Sequence, residues 1–178
     1  QRNKETPFFV YLPHPQPHVP LFAVDSLKGS QKRGLYGDVI HEIDASVGRI
    51  LDTLEDEDLV ENTIVVFTSD NGPWLSYGGH SGSAGIFREG KGTNWEGGHR
   101  VPGIIRYPNK ILANTLINEP AMGIDWLPTL SEFADTALPE RKIDGASLVP
   151  LLTGQSQDSP HENFFFYYRT NELHAVRH

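Results

Sequence analysis

The chain has 178 residues, enough for one domain with a sizeable core, and its 38% hydrophobic and 21% charged content excludes a disordered polymer. A net charge of −8 argues against nucleic acid or an anionic membrane surface as partner, because both reward clustered Lys and Arg. The lack of cysteine removes disulfides, thiolate metal sites and a Cys nucleophile, and no apolar run approaches the length of a membrane span. An acidic chain can still hold a small anion at a local cationic site. The chain opens at Gln1-Arg2-Asn3 without an initiator Met, so it is read as an interior piece of a longer protein with any targeting segment upstream.

Pro7-Phe8-Phe9-Val10-Tyr11-Leu12 is an aromatic and β-branched run, expected to form a buried strand. Four prolines between Pro13 and Pro20 then fix φ repeatedly and remove backbone donors, giving a stiff, irregular loop that carries His14 and His18. Tyr36, Val39, Ile40, Ile43, Val47, Ile50, Leu51 and Leu54 recur at spacings of three and four, which predicts an amphipathic helix. Asp38, Glu42, Asp44, Arg49 and Asp52 fall mostly on its other face, and Glu55 to Asp58 is read as a solvated turn.

Thr63 to Thr68 is a continuous apolar run, expected as a strand buried on both faces, as in a parallel sheet. It leads into Ser69-Asp70-Asn71-Gly72 and a glycine-rich stretch from Gly72 to Gly98, too long and polar for an incidental loop. A further strand is expected over Val101 to Tyr107 and a helix from Asp125 to about Phe133, with Pro128 in its first turn. A short apolar segment follows at Leu148 to Leu152, and a late strand at Phe164 to Tyr168. The alternation of strands and helices predicts an α/β sheet with helices on its faces.

In such sheets ligands bind beyond the carboxyl ends of the strands. His14 and His18 follow the first strand, and Asp70 and Asn71 the second. Asp and Asn offer oxygen ligands for a hard cation such as Ca²⁺ or Mg²⁺, while Asp-Asn-Gly is equally good turn chemistry. His18 fits a proton donor held still by a rigid loop, or an imidazole that satisfies backbone groups. Lys91, between Gly90 and Gly92, fits an oxyanion-binding ammonium or an ordinary surface lysine. Each signal is weak alone, and their combination makes the case.

Pro7-Phe8-Phe9 with His18, Tyr36-Gly37-Asp38, Asp44-Ala45-Ser46-Val47-Gly48 and Phe67-Thr68-Ser69-Asp70-Asn71-Gly72 together resemble the type I sulfatases. Gly90-Lys91-Gly92, Trp95-Glu96-Gly97-Gly98, Arg100-Val101-Pro102-Gly103, Asp125-Trp126-Leu127-Pro128-Thr129-Leu130 and Asp144-Gly145 with Pro150-Leu151-Leu152 extend the resemblance over nearly the whole chain. The opening Gln1-Arg2-Asn3 and Glu5-Thr6-Pro7-Phe8, with the ending Ala175-Val176-Arg177, are similar to the steryl-sulfatase and arylsulfatase branch.

The resemblance implies an alkaline-phosphatase-like α/β fold, a mixed sheet sandwiched between helices. Residues 1–160 would be the C-terminal part of the catalytic domain, and 161–178 the start of a smaller C-terminal sheet domain. It implies hydrolysis of sulfate esters, with Asp70 and Asn71 as two ligands of Ca²⁺ or Mg²⁺. His18 and Lys91 would bind the sulfate, His18 protonating the leaving group and Lys91 stabilising developing charge. His80 sits where some relatives carry a His, and it is given no role.

The family's nucleophile, a formylglycine made in a Cys/Ser-x-Pro-x-Arg motif, is expected upstream together with an Asp pair and a Lys/His pair. This chain alone is therefore expected to be inactive. Its implied partners are a small-molecule sulfate ester and the remainder of a sulfatase chain, with no nucleic acid, in the periplasm, lysosome, endoplasmic reticulum or secreted space. The alternatives are a phosphate or phosphonate ester hydrolase of the same superfamily, or a non-catalytic sulfatase-like chain.

Overall fold

A computed structural model of the chain describes residues 6–169 and 171–178. Gln1-Arg2-Asn3 and Glu5, part of the resemblance, lie outside the described residues. The chain forms two compact units, Gln1–Gly103 and Ile104–His178.

The first unit is organised on α1 (Gly34–Asp56), the helix that the three-and-four spacing predicts. Val39 is 1% exposed and packs with Leu21 and Ala23 of the preceding loop, with Val19, Leu35, Tyr36 and Ile43 around them. Full burial of such a side chain contributes about 1.5–3 kcal/mol, so this small cluster anchors the proline-rich segment to the helix. Ile40 and Ile50, expected in the apolar stripe, are exposed. The helix also runs to Asp56, taking up half of the acidic segment expected as a turn.

Asp38, expected on the solvent side of α1, is buried. Its carboxylate accepts the Gly29 amide at 2.8 Å, the Gln31 amide at 2.9 Å and the Ser30 hydroxyl at 3.2 Å. The Gly29 amide, ahead of the Gln31 and Ser30 donors, holds this carboxyl below its usual pKa against the opposing effect of burial. Helical periodicity does not reveal this role, because the donors come from the loop before the helix. Glu42 likewise accepts the Val24 amide at 3.0 Å.

The expected strand at Pro7 to Leu12 does not form. Residues 7–12 have no strand pairing, and Phe9 and Tyr11 are 77% and 79% exposed. A lone extended segment needs a neighbouring strand to satisfy its backbone and cover its side chains, and no described strand pairs with it. β1 (Val65–Thr68) forms within the expected run, but its residues are half-buried or exposed instead of buried on both faces. A 3₁₀ segment, Leu75–His80, and a short helix α2 (Glu96–His99) punctuate the glycine-rich stretch. β2 (Gly103–Arg106) follows.

In the second unit, Leu148, Leu151 and Leu152 form a core with Ile105, Ile111, Ile117 and Phe133 packed against it. These residues come from β2, from α3 (Trp126–Phe133), from α4 (Val149–Leu152) and from loops. β3 (Phe164–Tyr168) is the expected late strand. It pairs antiparallel with β4 (Glu172–Arg177), from Phe164 opposite Arg177 to Tyr168 opposite Glu172, with a register shift between Phe166 and Tyr167. Glu-Leu-His-Ala-Val-Arg lacks an aromatic run, so β4 escapes a reading by composition.

Asp125 stands at the N-cap position of α3, but its side chain makes no cap bond. It is 0% exposed and accepts the Met122 amide at 2.8 Å, the Ala146 amide at 3.0 Å and the His161 imidazole at 2.6 Å. Thr129 extends this network, donating to the Asp125 carbonyl at 2.6 Å and accepting the Leu148 amide at 2.9 Å. One buried carboxylate thus ties together three loop segments distant in sequence.

Asp125→Ala would leave those donors without an acceptor, and it is expected to destabilise the protein by about 3 kcal/mol or more. Urea unfolding together with loss of exchange protection at the Ala146 amide checks this. Wild-type protection in the variant would contradict it.

Candidate active site

The loop after β1 is Ser69-Asp70-Asn71-Gly72-Pro73-Trp74. Its course is set by backbone bonds to the stretch 88–98. The Gly72 N–H donates to the Gly98 carbonyl at 3.0 Å, and the Lys91 N–H donates to the Pro73 carbonyl at 2.9 Å. The Gly97 N–H in turn reaches the Arg88 carbonyl at 2.9 Å.

These approaches need glycine. A Cβ on Gly72 would lie 1.8 Å from the Gly97 carbonyl oxygen, and one on Gly97 would lie 2.0 Å from that of Glu89. Cation–π contacts add to these bonds, with the Arg88 guanidinium 3.7 Å over Trp95 and that of Arg100 4.8 Å over Phe87. Gly82 rests against the hydroxyl of Tyr36 on α1, and burial pushes that phenol's pKa up.

Two of the expected site residues meet at Trp74. The His18 ring packs edge-on against the indole, with centroids 5.7 Å apart, and the Lys91 Nζ stands 5.0 Å from the indole centroid. Tyr77 also packs against Trp74, with ring centroids 4.7 Å apart. The His18 Nδ1 lies 2.7 Å from the Val19 carbonyl oxygen, which can only accept, so Nδ1 carries a proton and Nε2 is not used in that bond. Lys91 is half-buried, and no carboxylate among the described residues pairs with its ammonium.

Asp70 and Asn71 precede Trp74 by four and three residues, so their Cα atoms lie within about 14 Å and 11 Å of that of Trp74 by chain reach. Neither side chain bonds to another described residue, and only the Asn71 backbone carbonyl is engaged, by the Ser69 hydroxyl at 3.2 Å. The uncommitted oxygens suit a hard cation in kind. They are two of the six to eight oxygens that Ca²⁺ takes. Among the described residues, no group of three His, Cys, Asp or Glu gathers to hold a metal. His14 and His80 have no ring contact or hydrogen bond to this group.

With this geometry in place, comparison with known proteins is decisive. The sulfatase family model matches residues 1–136. The chain belongs to the sulfatase family. It is 46% identical to human steryl-sulfatase over 183 aligned residues, covering 99% of this chain and 31% of that protein. It is 44% identical to arylsulfatase H of the dog, again over 99% of the chain and 32% of the relative. The PsFucS1 sulfatase of Pseudoalteromonas sp. superposes with a TM-score of 0.84 at 28% identity, over 91% of this chain and 33% of that one. The chain thus spans about a third of the length of the relatives it matches, and its fold is a part of the alkaline-phosphatase-like α/β architecture of sulfatases.

Trp74 is the site residue that motif reading passes over. Its signal is an aromatic side chain, still 39% exposed, directly after Asp-Asn-Gly-Pro.

Gly72→Ala and Gly97→Ala are expected to disorder the loop, lowering protection of the Lys91 amide. Gly48→Ala, in the interior of α1 with nothing within 4 Å of the new methyl, is expected to stabilise the protein by about 1 kcal/mol. Thermal unfolding and amide exchange of the three variants check both directions.

Proposed function

We propose that this chain carries part of the metal and sulfate site of a sulfuric ester hydrolase of the arylsulfatase kind, acting on a small-molecule sulfate ester. The observation that supports this most strongly is the meeting of His18 and Lys91 on one indole, beside the loop that carries Asp70 and Asn71. Together these residues offer a proton donor, a cation that no described carboxylate pairs, and two oxygen ligands uncommitted among the described residues, which is part of what a sulfate ester and a divalent cation require.

Lys91 binds sulfate oxygens as a point charge and opposes the negative charge that grows on the bridging oxygen as the S–O bond breaks. His18, with Nδ1 anchored on Val19, presents Nε2; in the imidazolium state this nitrogen gives its proton to the departing oxygen, which leaves as an alcohol. Asp70 and Asn71 would hold Ca²⁺ or Mg²⁺ through their side-chain oxygens. The ion, when bound, supplies Lewis-acid polarisation of the sulfate.

No Cys/Ser-x-Pro-x-Arg segment occurs in the 178 residues, so the formylglycine nucleophile, and the remaining metal ligands, come from the rest of a longer sulfatase chain in this proposal. Residues 1–160 then complete its catalytic domain, and 161–178, which include the β3–β4 hairpin, begin the smaller sheet domain.

In the full-length protein, His18→Ala is expected to lower kcat about 100-fold or more for esters with poor leaving groups, and much less for nitrophenyl sulfate, whose leaving group needs no proton. Lys91→Ala is expected to lower kcat/KM about 100-fold for both substrates. Steady-state kinetics with the two esters measure this. Near-normal turnover by both variants would remove these residues from the mechanism, and faster cleavage of phosphate than sulfate esters would overturn the substrate class.

A further inference from the structure

We infer that Trp74 is a positioning residue, the shared surface that sets the spacing and orientation of His18 and Lys91; this rests on the sulfatase reading of the site. The Lys91 ammonium stands 5.0 Å from the indole centroid, and no described carboxylate neutralises it. An aromatic face suits this duty. It attracts the cation through its quadrupole, yet it carries no negative charge and leaves the N–H donors free for an anion. A carboxylate in its place would compete directly with sulfate.

The same ring takes the edge of His18 at 5.7 Å and 64°, on the side chain whose Nδ1 is already tied to Val19. With one nitrogen anchored and the ring plane packed, little freedom remains in where Nε2 points. The indole itself is fixed from two directions. Tyr77 meets it edge-on at 4.7 Å and 74°, and the Pro73 carbonyl just before it accepts the Lys91 N–H at 2.9 Å. Backbone and side chain of Lys91 are thus both referenced to the Pro73-Trp74 dipeptide. His18 and Lys91, 73 residues apart in sequence, thus both lie against one indole, at 5.7 Å and 5.0 Å from its centroid.

The test uses the full-length protein with Trp74→Leu and Trp74→Phe, alongside His18→Ala. Trp74→Leu is expected to lower kcat/KM per folded molecule about tenfold or more and to weaken product inhibition by sulfate. Trp74→Phe, which keeps an aromatic face, is expected to restore both to within a few-fold. A purely structural role would lower the melting temperature and the folded fraction, and would leave sulfate inhibition of the surviving enzyme unchanged.

An activity-independent readout is the ring-current upfield shift of the Lys91 ε-methylene protons in wild-type protein, identified by its loss in Lys91→Arg. Should the Leu variant fail to fold, this shift and the Phe variant decide. Absence of the shift, or full activity and sulfate inhibition in Trp74→Leu while His18→Ala is crippled, overturns this inference and leaves the sulfatase reading intact. Normal activity of His18→Ala and Lys91→Ala overturns that reading instead.

Discussion

Two backbone hydrogen bonds, Gly72 N–H to Gly98 and Lys91 N–H to Pro73, lock the loop after β1 to the glycine-rich stretch that follows it. The placement of Trp74 and Lys91 in the candidate site depends on that pairing. It fixes where the Pro73-Trp74 dipeptide lies, and the dipeptide locates the Lys91 ammonium and the His18 ring. Gly72, Gly90, Gly97 and Gly98 stand where segments of chain pass closer than a Cβ permits.

The site is assembled from weak, local forces instead of a deep core. Its members sit on loops, with α1 as the only long element among the described residues of the first unit. Anchoring comes from Val39 with Leu21 and Ala23, from the Asp38 carboxylate on the Gly29–Gln31 turn, and from cation–π contacts around the loop. Loops held this way by a scaffold are the usual bearers of binding and catalytic residues. In the second unit the buried Asp125 plays the corresponding part, replacing apolar area with a satisfied polar hub.

Much of this was legible in the sequence because it is periodic. The spacing of Tyr36 through Leu54 declares α1, the apolar runs mark β1, β2 and β3, and the Asp-Asn and Gly-Lys-Gly motifs mark the candidate ligands. What escaped is what depends on partners distant in sequence. Pro7 to Leu12 has strand composition but no strand to pair with among the described residues, so it stays exposed. Asp38 and Asp125 look like solvent-facing or capping acids until the donors from other loops are seen. β4 is defined by its register against β3 and not by its own residues. Trp74 is invisible as a site residue because its importance lies in two contacts, one of them to a side chain 56 positions away.

The central claim is that His18, Lys91 and the Asp70-Asn71 pair serve one small ligand. The most direct test is a crystal structure of the full-length protein grown with Ca²⁺ and sulfate. A tetrahedral anion is expected within hydrogen-bonding distance of both the Lys91 Nζ and the His18 Nε2, with the cation on the side-chain oxygens of Asp70 and Asn71. An anion bound elsewhere, with these four side chains pointing to separate surfaces, would contradict it.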